Sequence, residues 1–155
     1  MRINVYDLEM EDNLPKLVKE NGFNYNYEFS TDCIFNMFNE KFGLGRKAEE
    51  HIYAVCTDTK GNRVSVFPIA KGTANECHCS PREILIRACM VGAVNLILVH
   101  NHPSGNTIES AHDVRVFKRM KTACDIVGIN LIDFIIICEQ AFNSFRGNGH
   151  FDNIS

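Results

Sequence analysis

Apolar positions along the chain form short runs and helix-spaced series that take turns, and this alternation is the main structural signal. At the N-terminus, Arg2–Leu8 and Lys16–Tyr27 read as strands, with Asn21-Gly22 as a turn inside the second segment. Ser30 offers an N-cap to a helix over Thr31–Phe42, where Ile34, Met37, Phe38 and Phe42 recur at helical spacing before Gly43 and Gly45 end it. His51–Asp58 and Arg63–Ala70 flank the polar tip Lys60-Gly61-Asn62, which predicts a β-hairpin. Ser80-Pro81-Arg82-Glu83 has the form of a capped helix start, and the helix should run to about Val91 with Gly92 as its stop. Asn95–His100 is nearly all apolar, the pattern of a strand covered on both faces, and Pro103 ends it. Ser110 then caps a helix through Asp125 with Val116, Met120 and Ala123 on one face. Gly128 separates it from a last strand, Asn130–Cys138, and a short return near Ala141–Phe145. Helices between buried strands predict a layered α/β domain.

Composition narrows the class. The 155 residues suit one domain, with 45% apolar and 23% charged positions. A net charge of −3 builds in no general attraction to phosphate backbones or anionic lipid. No apolar run approaches the ~18–20 residues of a membrane-spanning helix. Met1–Asp12 carries four acids and no signal-type apolar stretch, and the seven cysteines are odd in number and mostly set in apolar patterns. The reading is a cytoplasmic protein with reduced thiols, without membrane partners.

The chemistry is concentrated in His100-Asn101-His102-Pro103-Ser104-Gly105, followed by Ser110 and Asp113. Side chains alternate along a strand, so His100 and His102 point the same way at the strand's end. After the turn, the helix opening at Ser110 can return Asp113 as a third ligand. Two imidazoles and one carboxylate suit Zn²⁺ and leave a fourth position for water, the arrangement of catalytic rather than structural zinc. A carboxylate base is then needed, and Glu49 or Glu50, at the entry to the His51–Asp58 strand, can supply it. Ser110 can offer a hydroxyl to a developing oxyanion. Each element alone has a plainer reading: a His-x-His pair is commonly two satisfied histidines, and Ser110-x-x-Asp113 is a capping box. Their combination favours the metal site. Capping and coordination are also compatible, because the helix dipole favours a carboxylate there in either role.

His100-x-His102-Pro103-x6-Ser110-x2-Asp113, with an upstream Glu, resembles the metal signature of the JAMM (JAB1/MPN/MOV34-type) metalloproteases. Pro81-Arg82-Glu83, Asn101-His102-Pro103-Ser104-Gly105, Gly72-Thr73, Gly128-Ile129, Leu131-Ile132-Asp133 and Ser144-Phe145-Arg146 make the chain similar to the RadC-like JAB domain in particular. The resemblance implies a three-layer α/β/α sandwich with a mixed sheet, a cytidine-deaminase-like JAB/MPN fold, over residues 47–155, with residues 1–46 as an N-terminal extension. It implies zinc on His100, His102 and Asp113, Glu50 rather than Glu49 as the base, and Ser110 polarising the attacked carbonyl. The implied activity is zinc-dependent hydrolysis of a peptide or isopeptide bond in a protein or peptide substrate. The alternative is a non-catalytic metal-bound module associated with DNA repair or a mobile-element function.

The chain departs from the family pattern in places. Asn106, Thr107 and Glu109 replace an Asp and two prolines, which predicts a looser loop, and Phe117 and Phe134 stand where the family usually has Thr and His. Residues 1–46 do not resemble the helix-hairpin-helix segment of longer relatives, so DNA association gains no support there. Nucleobase deamination lacks its Pro-Cys-x-x-Cys element. Cys77-His78-Cys79 reads as a loop with exposed thiols and His51 as a sheet-face histidine. His112 is expected to point into solvent, and Lys118, Arg119 and Lys121 to form a solvated basic face.

Overall fold

A computed structural model describes residues 1–74 and 78–152. Its centre is an eight-stranded mixed sheet of β1 (Arg2–Glu11), β2 (Leu14–Lys19), β3 (Phe23–Asn24), β4 (His51–Thr57), β5 (Val64–Lys71), β6 (Asn95–Asn101), β7 (Asn130–Ile137) and β8 (Phe142–Ser144). The spatial order is β2-β1-β5-β4-β6-β7-β8, with β3 on β1. Three α-helices join it: α1 (Thr31–Met37), α2 (Pro81–Met90) and α3 (Ala111–Val127). The mixed α/β architecture expected from the alternating pattern is present.

Alternation within the strands sorts the core into two clusters. Ala54, Cys56, Leu96 and Leu98 pack with Ile84 and Ala88 of α2 and with Phe117, Met120 and Cys124 of α3. Tyr53, Val55, Ile97 and Val99 pack on the opposite face with Ile34 and Met37 of α1 and with Phe38. Both faces of β4 and β6 are thus covered, which is why their middle stretches, 52–56 and 96–99, are apolar. β4 runs antiparallel to both β5 and β6, whereas β6 runs parallel to β7 through α3.

The N-terminal segment differs from its expected form. Its hairpin turns at Asp12-Asn13, both left-handed at φ 51° and 63°, and not at Asn21-Gly22. Short Asx side chains tolerate that region, so the pair forms the tight turn that ribbon twist demands. Strand β1 then pairs parallel to β5 through Ile3–Val5, so the sheet runs without a break from residues 1–46 into the rest. The first helix also ends sooner than its apolar spacing suggests. It widens at Phe38–Phe42 into a π-turn that stops at Gly43, φ 58°.

Elsewhere the capping chemistry decides the boundaries. Ser110 and Asp113 cap α3 reciprocally, as their spacing predicts. Ser80 precedes α2 but makes no side-chain cap bond: the Glu83 N–H donates to the Ser80 carbonyl at 3.1 Å, and the Glu83 carboxylate pairs with Arg82 at 2.8 Å. Of the cysteines, Cys33, Cys56, Cys79, Cys89, Cys124 and Cys138 are free thiols, while Cys77 lies outside the described residues. Among the described residues no helix is long and apolar enough to cross a membrane.

Candidate metal centre

Strand alternation assembles the site. His100 follows Leu98 at a two-residue step and so falls on the α3 face of β6, and His102 follows it. Glu50 stands in the same phase as Ala54 and Cys56 on β4, which puts it on that face too; Glu49 falls on the other. Glu49 is accordingly half exposed and paired with Lys71 at 3.3 Å, whereas Glu50 is 8% exposed. The antiparallel register, with Ile52 opposite His100, brings the start of β4 to the end of β6. Of the two acids, only Glu50 reaches the histidines.

Four side chains meet there. His100 Nε2 lies 3.4 Å from Asp113 Oδ1, His102 Nε2 lies 3.3 Å from Asp113 Oδ2, and Glu50 Oε2 lies 3.9 Å from His100 Nε2. Among the described residues, Glu50, His100 and His102 offer ligand atoms all within 4.8 Å of one another, a group able to hold a metal ion. Asp113 falls outside that group, although it touches both imidazoles more closely than Glu50 touches either.

Outer contacts orient the imidazoles. His100 Nδ1 faces the His51 carbonyl at 3.3 Å, and His102 Nδ1 faces the Asn106 carbonyl at 2.8 Å. With a metal bound, Nδ1 would keep its proton toward the carbonyl and each Nε2 would turn its lone pair to the centre; without one, the His102 Nε2 donates to Asp113. Phe134 stacks on His100 with centroids 6.3 Å apart. The main-chain carbonyls thus do the orienting that Phe117 and Phe134 cannot. The expected looseness of the 106–109 loop also finds counterweights. Asn106 Oδ1 accepts from Ile108 N–H at 2.9 Å, and Asn143 donates to the Thr107 carbonyl at 2.8 Å and to Glu109 at 2.9 Å.

Charge follows from this packing. Burial pushes the His100 imidazole down to about 4, against the upward pull of Asp113. Burial also works to lower His102, but its bonds with Asp113 and the Asn106 carbonyl outweigh it and hold it above its ordinary value. Burial would raise Asp113, yet hydrogen bonds from His102 and Ser110 and the charge of His100 hold it well below the usual carboxylate range. Ser110 is spoken for: its N–H and O–H both donate to Asp113 Oδ2, at 2.7 and 2.6 Å, while its Oγ accepts Asp113 N–H at 3.1 Å.

Two residues carry more than their sequence context suggested. Asn101 is fully buried, accepts His51 N–H at 2.7 Å on Oδ1 and donates from Nδ2 to the Glu49 carbonyl at 3.1 Å, clamping the backbone on either side of Glu50. Glu50 itself exchanges backbone bonds of 2.8 Å with Thr73 and Gly72. An uncharged polar residue closing an apolar strand was the available signal. His112 does not point into solvent. It lines the same cavity of about 630 Å³ as Glu50, His102 and Asp113, packs edge-on against His78 at 5.3 Å, and has its Nε2 buried. The outward expectation assumed a solvated helix face, and the loop that carries His78 covers it.

The family model for the RadC-like JAB domain matches residues 30–150. A UPF0758 protein of Streptococcus uberis is 43% identical over 103 residues, covering 66% of this chain and 46% of that protein. One of Finegoldia magna is 42% identical over 108 residues, covering 70% of this chain and 48% of its own length. The chain spans about half the length of the curated relatives it matches. It belongs to the RadC-like JAB domain family.

Proposed function

We propose that the chain is a zinc-dependent hydrolase of JAMM type, acting on a peptide or isopeptide bond. The observation that carries this reading is the convergence of two Nε2 atoms and the Asp113 carboxylate beside a fourth group, the separately held Glu50 carboxylate, at an open cavity. His100, His102 and Asp113 would hold the metal. Mixed nitrogen and oxygen donors without thiolate match catalytic zinc sites. Zinc, when bound, supplies Lewis acidity that brings a water's pKa to roughly 7.

The protein's own groups divide the remaining work. Glu50, clamped by Asn101 and Thr73, would accept the attacking water's proton and return it to the leaving amine. Ser110 would steady the carbonyl oxygen, which requires its O–H to swing from Asp113 Oδ2 once that carboxylate serves the metal. The fold this reading implies is the cytidine-deaminase-like three-layer arrangement.

Zinc content after purification, together with cleavage of a synthetic isopeptide and peptide panel, tests the proposal. The expected result is about one zinc per chain, cleavage by the native protein, and zinc without cleavage in Glu50→Gln. Zinc bound by a native protein that cleaves nothing in the panel would favour the non-catalytic module. No zinc at all would end the metal reading.

A further inference from the structure

A second cavity, of about 480 Å³, lies on the far side of the His102–Gly105 turn. It shares Pro103 and Ser104 with the metal cavity, so the two adjoin across that turn, the saddle between them. Its walls come from residues 45–48 and 138–140.

This second cavity is built rather than incidental. Asn39 fixes its floor: Oδ1 accepts Gly45 N–H at 2.8 Å, and Nδ2 donates to the Cys138 and Glu139 carbonyls at 3.3 Å each. Gly45 sits so close to that floor that a Cβ would meet the Cys138 carbonyl at 2.5 Å. Two cations, Arg46 and Lys47, stand on the wall. Among the described residues neither has a carboxylate partner, since the adjacent Glu49 is held by Lys71.

Resting on the hydrolase reading above, we infer that the two cavities take an extended peptide across the Pro103–Ser104 saddle. A single side-chain or terminal carboxylate within a few residues of the scissile bond is captured by Arg46 and Lys47. A guanidinium fork and an ammonium side by side suit one carboxylate, through charge-assisted hydrogen bonds. A polyanion fits poorly. Glu139 lines the same cavity and Glu49 flanks it, so a second phosphate would meet negative charge on either side of the cation pair.

The test measures binding, so that it stands apart from turnover. Zinc-loaded Glu50→Gln protein is titrated with fluorescein-labelled decapeptide pools that are random except for one fixed Asp, Asn or Lys at each position. The expected result is binding about tenfold tighter for Asp than for Asn pools at one or two positions, as a charge-assisted contact provides. In R46Q/K47Q the preference disappears, and in R46E/K47E it inverts toward Lys, with zinc content and thermal midpoint unchanged. Absence of an Asp preference, an unaltered preference in both variants, or a single-stranded DNA 12-mer competing more strongly than the Asp pool would each overturn the inference. Cleavage and zinc content of the native protein report separately on the hydrolase reading, which can fail while the acid preference stands.

Discussion

Asp113→Asn separates the two roles that Asp113 combines. The carboxylate accepts Ser110 N–H and O–H at the start of α3 and faces His100 and His102 at 3.4 and 3.3 Å. Asparagine keeps an acceptor for Ser110 but loses the charge that favours the helix N-terminus and the His102 imidazolium. Weakening the cap and the dipole contact costs the metal-free protein about 1–2 kcal/mol. For a chain of this size that is a thermal midpoint lower by about 2–8 °C. A ligand role predicts a second, larger effect: zinc affinity should drop by more than the roughly 10–100-fold typical of outer-contact substitutions. Zinc-to-protein ratios measured against chelators of graded strength, with thermal melts in excess chelator, read the two effects separately. Glu50→Gln in the same assay should keep its zinc. Asp113→Asn holding zinc within about threefold of the native protein, while Glu50→Gln loses it, would refute this division. Glu50 would then be the third ligand, in keeping with its place in the Glu50–His100–His102 group, and Asp113 only a cap.

Three further outcomes follow from the geometry. Gly45→Ala places a methyl 2.5 Å from the Cys138 carbonyl and 2.6 Å from Asn39 Oδ1, so a loss of about 2–3 kcal/mol is expected in urea unfolding, and a change below about 0.5 kcal/mol would contradict the close approach. Asn101→Ala leaves the part-buried His51 N–H and Glu49 carbonyl without these partners, for about 1–3 kcal/mol in the same measurement; a neutral result would mean the clamp around Glu50 is not holding. The metal-free protein should also lose stability on acidification. Its His100 stays neutral down to about 4 whereas the unfolded imidazole protonates near ~6.5, so stability present above ~6.5 is lost as pH falls toward 4, by roughly 3 kcal/mol from this group. His102, raised instead, is protonated in both states through most of that window and adds no slope there, so urea midpoints that rise between pH 6.5 and 4 would refute the buried neutral His100.

What the sequence disclosed, and what it withheld, divides by the range of the interactions involved. The strands β4 to β7 and helix α3 are legible because each is set by local pattern: apolar runs buried on both faces, or a cap three residues from its partner. His100, His102 and Asp113 are legible for the same reason, lying within one strand-turn-helix unit. The N-terminal ribbon misleads because Asn-Gly is the stronger turn signal in isolation. The Asp12-Asn13 turn wins because it lets β1 reach β5 and bury Ile3 completely. Ser80 misleads in another way, since the Glu83 N–H goes to its carbonyl and the Glu83 carboxylate to Arg82, leaving no capping box. The outer contacts of the histidines were invisible because main-chain carbonyls make them, and any residue type supplies a carbonyl.

The choice between Glu49 and Glu50 shows how far topology, rather than motif, decides chemistry here. Neighbouring residues on a strand face opposite sides, so one of the two acids must face α3 and the other must not. Which one is fixed by the register of β4 on β6, fifty residues away, where Ile52 stands opposite His100. A slip of one residue would carry Glu49 to the histidines and turn Ala54 and Cys56 off the α2–α3 core. The apolar pattern of β4 forbids that slip, because it would exchange small side chains for Tyr53 and Val55 beneath the helices. The packing that stabilises the sheet therefore also selects the carboxylate. Asn101, buried at the seam between β4 and β6, locks the selection with two hydrogen bonds to the backbone on either side of it.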